Sequence, residues 1–147
     1  MKYTNEVEIN KPLEEVIPLF DNPDNLYKWM EGLQSFEHIS GTPGQPGAKS
    51  KLKFKVGKRE MVLIETVTVR NLPKEFTGTY ESENGKGALN IVRNEFVKLS
   101  PAKTKYISES EFQFKGFMAI IAVLMKGAFK KQSLKYITNF KNFAESD

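Results

Sequence analysis

Residues 117–125 read Phe117-Met118-Ala119-Ile120-Ile121-Ala122-Val123-Leu124-Met125 and open a proline-free stretch from Gly116 to Ala144. Apolar side chains recur through it at Met118, Ala122, Met125, Phe129, Tyr136, Phe140 and Phe143. Steps of three and four place such residues on one face of an α-helix. At about 1.5 Å per residue, a helix of this extent is roughly 40 Å long, enough to cross a small domain. Most of the chain before it alternates apolar and polar side chains, as strands do. The expected fold class is α+β: a long C-terminal helix laid against one large antiparallel sheet.

The helix is not uniform. Phe117 to Met125 is apolar on every side, whereas the second half has a single stripe and a back rich in lysine. A helix on a sheet needs only one apolar face. The surplus calls for a second surface, and Trp29, Met30 and the loop from Gly41 to Gly47 are the expected cover. A ligand, a protein partner or a membrane are the alternatives. Gly127, beside Ala128, is a weak point costing about 1 kcal/mol relative to alanine.

Working back along the chain, Tyr3, Asn5, Val7 and Ile9 alternate with Thr4, Glu6 and Glu8 as in a half-buried strand. Asn10 is the expected N-cap of a short helix, with Pro12 in its first turn and Val16, Leu19 and Phe20 on its buried side. Pro18 limits its length. A second short helix spans Asn25 to Met30 and carries the sole tryptophan, Trp29. Phe36 and Ile39 belong to the second strand, and the Gly- and Pro-rich loop from Gly41 to Gly47 reads as a wide turn. Five further strands are expected at Lys49–Val56, Glu60–Val69, Glu75–Ser82, Ala88–Leu99 and Thr104–Phe114, joined by short turns. The hairpin signal Glu83-Asn84-Gly85-Lys86-Gly87 separates the third and fourth of these. That makes about seven strands in one domain, 1–147.

Composition narrows the chemistry. The 147 residues include no cysteine and one histidine. Disulfides and thiolate sites are thus excluded, and neither a metal nor a cofactor is expected. The net charge is +4, with lysines in clusters at 51, 53 and 55 and at 126, 130, 131 and 135. Both clusters read as solvated faces, and nucleic acid is not an expected partner. The apolar run is too short for a bilayer, which needs about 20 residues, so integral membrane association is not expected. Met1 to Glu6 lacks the apolar core of a secretory leader, and the expected location is cytoplasmic.

Strand parity gives candidate site residues. Tyr106, Ser108, Ser110, Phe112 and Phe114 share the face of the last strand that should meet the helix. Two serines there are small and polar where a filled core prefers aliphatics. Asn90, Val92, Asn94 and Phe96 share a face on the preceding strand, and Phe76, Gly78 and Tyr80 suit the same interior. An apolar pocket with a few placed polar groups is the usual form of a small-molecule site. Glu65 lies among Met61, Leu63, Val67 and Val69 on an apolar face, where burial would raise its pKa. His38 stands alone beside the loop.

The order strand, two short helices, six strands, long helix resembles the START-like (Bet v 1-like, SRPBCC) superfamily over essentially the whole chain. The resemblance is carried by Val7-Glu8-Ile9-Asn10-Lys11-Pro12-Leu13-Glu14-Glu15-Val16 ending in Leu19-Phe20, and by Pro23 six residues before Trp29. Gly47 before a strand, Asn71-Leu72-Pro73 between strands and Phe140-Lys141 near the end also contribute. It implies a helix-grip fold, a curved sheet wrapped round the C-terminal helix with a cavity between them. The family includes binders of lipids, polyketides and other apolar molecules, as well as cyclases and co-chaperones.

The expected function is therefore binding of a hydrophobic or amphipathic small molecule, lipid or polyketide-like, rather than catalysis. The candidate ligand-binding residues are Trp29, Phe54, Tyr80, Asn94, Phe96, Ser108, Ser110, Phe112, Met118, Ile121, Met125 and Phe129. An enzyme of the cyclase or dehydratase type is the alternative, with Glu65, Tyr80 or Tyr106 moving protons. A chaperone-associated or other partner-binding module, using the apolar helix start, is the third reading.

Overall fold

The structure is a computed structural model and describes residues 1–85, 87–114 and 116–146. Strand β1 (Lys2–Ile9) is followed by helix α1 (Leu13–Phe20), a 3-10 turn at Pro23–Asn25 and helix α2 (Leu26–Trp29). Six strands follow: β2 (Leu33–Ser40), β3 (Lys49–Val56), β4 (Arg59–Asn71), β5 (Glu75–Ser82), β6 (Leu89–Ser100) and β7 (Lys103–Gln113). The chain ends in helices α3 (Phe117–Leu124) and α4 (Lys126–Ala144). The strands form one antiparallel sheet in the order β1-β7-β6-β5-β4-β3-β2. Sequential hairpins build most of it, and the first strand closes beside the last. Lys86, in the β5–β6 turn, lies outside the described residues.

Alternation dictates the two faces. On β1, Tyr3, Asn5 and Ile9 are buried while Lys2, Thr4, Glu6 and Glu8 are exposed. On β7, Thr104, Tyr106, Ser108 and Ser110 are buried. The register sets Tyr3 opposite Ser110, Asn5 opposite Ser108 and Ile9 opposite Thr104. The outer face carries cross-strand ion pairs such as Lys105–Glu6 at 3.3 Å and Lys51–Glu83 at 2.7 Å. Exposed pairs of this kind keep the face soluble and add little to stability.

Helix α4 is held to β1 by polar contacts along its length. Asn5 Nδ2 donates to the Lys130 carbonyl at 2.9 Å, and the Tyr3 and Ser133 hydroxyls share a hydrogen bond at 2.6 Å. Lys141 Nζ donates to the Glu8 carbonyl, and the Asn10 N–H donates to Glu145 Oε2 at 2.7 Å. Asn10 is thus not the cap of α1. Pro12 occupies the cap position without a side-chain bond, and Asn10 is used to fasten the C-terminal end of α4.

Between these ties lies the core, formed by Ile9, Val16, Trp29, Phe96, Tyr106, Ile137, Phe140 and Ala144. Phe96 stacks on Tyr106 at 4.5 Å between centroids, Phe20 meets Phe96 at 4.9 Å, and Trp29 meets Phe140 at 5.2 Å. Each such pair adds about 0.5–1.5 kcal/mol beyond the area it buries. Phe140 meets the rings of Trp29, Phe96 and Tyr106 and is fully buried.

The C-terminal helix is not one rod. It breaks at Met125, whose φ of -101° and ψ of 9° leave the helical region. Its N–H reaches back to the Ile121 and Ala122 carbonyls, and its own carbonyl starts the next segment. A short link through Gly116, at φ 60°, pins the start of α3 beside the end of β7, while β1 fixes α4. The break falls two residues before Gly127, so the weak point of the stretch is Met125 instead. Nor do Trp29, Met30 and the 41–47 loop cover the first half. Trp29 and Met30 pack with the core near the far end of α4, and the loop bonds to β4 through Gly47 N–H and the Val67 carbonyl. Phe117, Met118, Ile120, Val123, Leu124 and Met125 stay exposed.

Phe140→Ala should lower the unfolding free energy by about 3–5 kcal/mol, as expected for an aromatic lost from a packed core. Urea denaturation with an unchanged slope would measure it. A loss under about 1 kcal/mol would mean that α4 is not clamped through this cluster.

Candidate functional site

A cavity of about 630 Å³ lies between the inner face of the sheet and α4. Its wall follows from strand register. Ser50, Glu65, Tyr80, Asn90 and Phe112 are consecutive cross-strand partners on β3, β4, β5, β6 and β7. The neighbouring row runs Val67, Gly78, Val92, Ser110 and Tyr3, and the next runs Phe76, Asn94, Ser108 and Asn5. Beyond it Phe96 and Tyr106 belong to the filled core. The hollow lies where the middle rows offer glycine and serine in place of large side chains. A Cβ added at Gly78 would meet the Thr66 carbonyl at 3.3 Å and Glu65 Cγ at 3.8 Å. The tight neighbour is the Thr66 carbonyl, which glycine avoids; Glu65 would be in ordinary contact.

The first row carries the chemistry. The Tyr80 hydroxyl donates to Glu65 Oε2 at 2.6 Å. Burial pushes the Glu65 carboxyl above its usual range, and the Tyr80 hydrogen bond draws it partly back. Burial, with the facing Glu65 carboxylate, raises the Tyr80 phenol well above its ordinary value, so Tyr80 stays a donor. Asn90 Oδ1, next in the row, is buried with no hydrogen-bond partner, as is Trp29 Nε1 on the opposite wall. Tyr106 is settled differently. Its hydroxyl donates to Asn94 Oδ1 at 2.6 Å, and Asn94 Nδ2 donates to the Phe76 carbonyl. Burial raises the Tyr106 phenol too. Neither phenol is suited to accept a proton near neutral pH; Glu65 is the carboxyl on the inner face of the sheet whose pKa burial raises.

Of the residues singled out from sequence, Trp29, Phe54, Tyr80, Asn94, Ser108, Ser110, Phe112 and Phe129 line the cavity, as do Glu65 and Tyr106. Four are placed elsewhere. Phe96 is spent in the core, stacked on Tyr106. Met118, Ile121 and Met125 lie on or beside α3, which the break at Met125 carries off the cavity; α4 supplies Phe129, Ser133, Tyr136 and Ile137 instead. The residues missed include Phe20, Leu26, Met30 and Phe36, which also line the cavity. Their signal was the apolar face of each short element, which looks the same whether it fills a core or lines a void. His38, read as an isolated strand-end residue, also borders the cavity. Among the described residues no group of three His, Asp or Glu side chains could hold a metal ion.

The raised Glu65 carboxyl sets a pH dependence. Because its folded pKa exceeds the unfolded one, its contribution to stability is full below the ordinary carboxyl pKa and is lost as pH rises through the folded value. Glu65→Gln should therefore gain stability relative to the parent as pH rises from about 4 towards neutrality. Urea midpoints at several pH values would check this, and parallel curves for the two proteins would show an unshifted carboxyl.

Neither a protein-family model nor a curated protein sequence matches the chain. Solved structures do. A conserved protein from Geobacillus kaustophilus superposes with a TM-score of 0.79 at 19% identity, covering 98% of this chain and 95% of the other. The Zhui aromatase/cyclase from Streptomyces sp. R1128 gives 0.81 at 8% identity, covering 99% and 93%. Ara h 8.0201 gives 0.73 at 13% identity, covering 100% and 99%. Curved seven-stranded sheet, paired short helices and long C-terminal helix together make this chain a START-like, Bet v 1-like protein in fold.

Proposed function

We propose that this protein binds an amphipathic small molecule, lipid or polyketide-like, in the cavity between the sheet and α4. The observation that carries the reading is the cavity wall itself. Its volume of about 630 Å³ is that of a small-ligand site, and its lining is mostly apolar with polar groups placed among the rows. The unpartnered Asn90 Oδ1 calls for a ligand that donates a hydrogen bond, such as a hydroxyl, and Trp29 Nε1 for one that accepts. Leaving such groups unpaired costs about 1–3 kcal/mol each, which a bound ligand or water would recover.

Native mass spectrometry and solvent extraction of the purified protein should reveal a co-purifying apolar compound. The sole tryptophan lines the cavity, so its emission reports occupancy. Titration with anilinonaphthalene sulfonate should shift that emission. Ser108→Phe with Ser110→Phe, which fill the hollow, should weaken the dye by roughly tenfold, a change of about 1.4 kcal/mol. Unaltered dye binding in that variant would remove the reading.

A second reading is favoured by one feature, the Glu65–Tyr80 pair. A carboxyl with a raised pKa, beside a fixed phenol donor, suits proton transfer to or from a bound carbonyl chain. The fold neighbour named as an aromatase/cyclase suggests a reaction type, ring closure of a polyketide-like chain. Under this reading Glu65→Gln retains ligand and abolishes turnover, whereas under the first it changes ligand retention only modestly. Incubation with a linear polyketone, followed by product mass analysis, distinguishes them.

A further inference from the structure

The apolar surplus of α3 meets no cover among the described residues. Phe117 is 73% exposed, Leu124 82%, Val123 67% and Ile120 63%, while Ala122 is buried against the body. Isolated exposed apolar residues are ordinary, but a contiguous patch marks an interaction surface. The same end of the sheet carries the β3–β4 hairpin, where Val56 and Met61 are also exposed.

Charge identifies the occupant. From Phe112 to Ala144 the chain has no aspartate or glutamate, yet Lys126, Lys130 and Lys131 follow α3 directly. All three are exposed, and none is in an ion pair with a described residue. The acids of the neighbouring hairpins, Glu60 and Glu83, are paired with Lys53 and Lys51. An apolar helix collared by unpaired lysines matches an anionic surface with an apolar layer beneath it.

We propose that α3 docks on an anionic lipid bilayer, lying in the plane of the interface with Lys126, Lys130 and Lys131 set against acidic headgroups. Eight residues make a helix of about 12 Å, far short of the roughly 30 Å hydrocarbon core, so it lies on the membrane without crossing it. A second copy fits less well. A two-fold dimer through α3 brings no acid from residues 112–144 to meet the lysines of either copy. A protein groove would cover one side of the helix, whereas the exposed residues are spread around it. Ala88, on the β5–β6 hairpin at this end, lines the cavity, so docking turns that end of the cavity towards lipid. The docking stands whatever the cavity holds.

Flotation with vesicles of phosphatidylcholine, alone or with one third phosphatidylglycerol, tests the proposal at low salt. The parent protein should partition on the order of 100-fold more strongly to the mixed vesicles, the effect of three lysines near an acidic surface. Lys126→Gln, Lys130→Gln and Lys131→Gln together should erase the difference. Phe117→Ser with Leu124→Ser should reduce partition to the mixed vesicles by roughly tenfold or more, with an unchanged melting temperature because both side chains are exposed. Equal partition to the two vesicle types would overturn the proposal. So would no vesicle binding, with self-association or capture of a protein partner that Phe117→Ser with Leu124→Ser abolishes.

Discussion

A curved sheet of seven strands offers more inner surface than a helix of 19 residues can cover, and this mismatch governs the molecule. Helix α4 is committed to one end by the aromatic cluster around Phe140 and to one edge by its bonds to β1. The rows nearest the cluster are filled. Beyond them α4 meets the next rows at the β1–β7 edge, through Asn5, Tyr3 and Phe112, and the chain places Gly78, Ser108 and Ser110 in the same rows instead of large aliphatics. A packed interior tolerates few voids wider than a water molecule. A hollow of this size is therefore built by residue choice on two strands, β5 and β7, beside the register shift between Val67 and Val69.

The polar row follows from the same geometry. A carboxyl on the inner face of β4 would be costly against a dry core, because burial disfavours its charged form. Against a cavity it needs only one fixed donor, and register supplies it: Tyr80 is the cross-strand partner of Glu65. Asn94 and Tyr106, two and three rows away, satisfy each other and serve packing. Two tyrosines of similar parity thus have different roles, decided by what stands opposite them.

Much of this was legible in the chain. The bounds of β3 and β5 coincide with the expected strands, and the inward faces of β4 to β7 follow the alternation of Met61-Leu63-Glu65, Phe76-Gly78-Tyr80, Asn90-Val92-Asn94 and Tyr106-Ser108-Ser110. Less legible was whatever depended on a distant partner. Asn10 has the right chemistry for a cap, but α1 begins at Leu13, which puts Pro12 at the cap position and leaves the Asn10 N–H to the Glu145 carboxylate. Phe96 shares the face of Asn94 yet falls on the filled side of the boundary, because Phe140 and Tyr106 reach it.

By itself the sequence determined the sheet, its two faces and the clamp half of α4, because alternation and helical spacing act between near neighbours. It also determined that residues 117–125 carry more apolar surface than a packed helix needs. Only the tertiary structure decided where that surface goes. The link at Gly116 and the ties from β1 to α4 set the directions of the two helices separately, and the chain breaks at Met125 to join them. Met118, Ile121 and Met125 are thereby turned away from the cavity, and Ser133, Tyr136 and Ile137 stand in their place. Helical spacing fixes which side chains share a face, but not what that face meets.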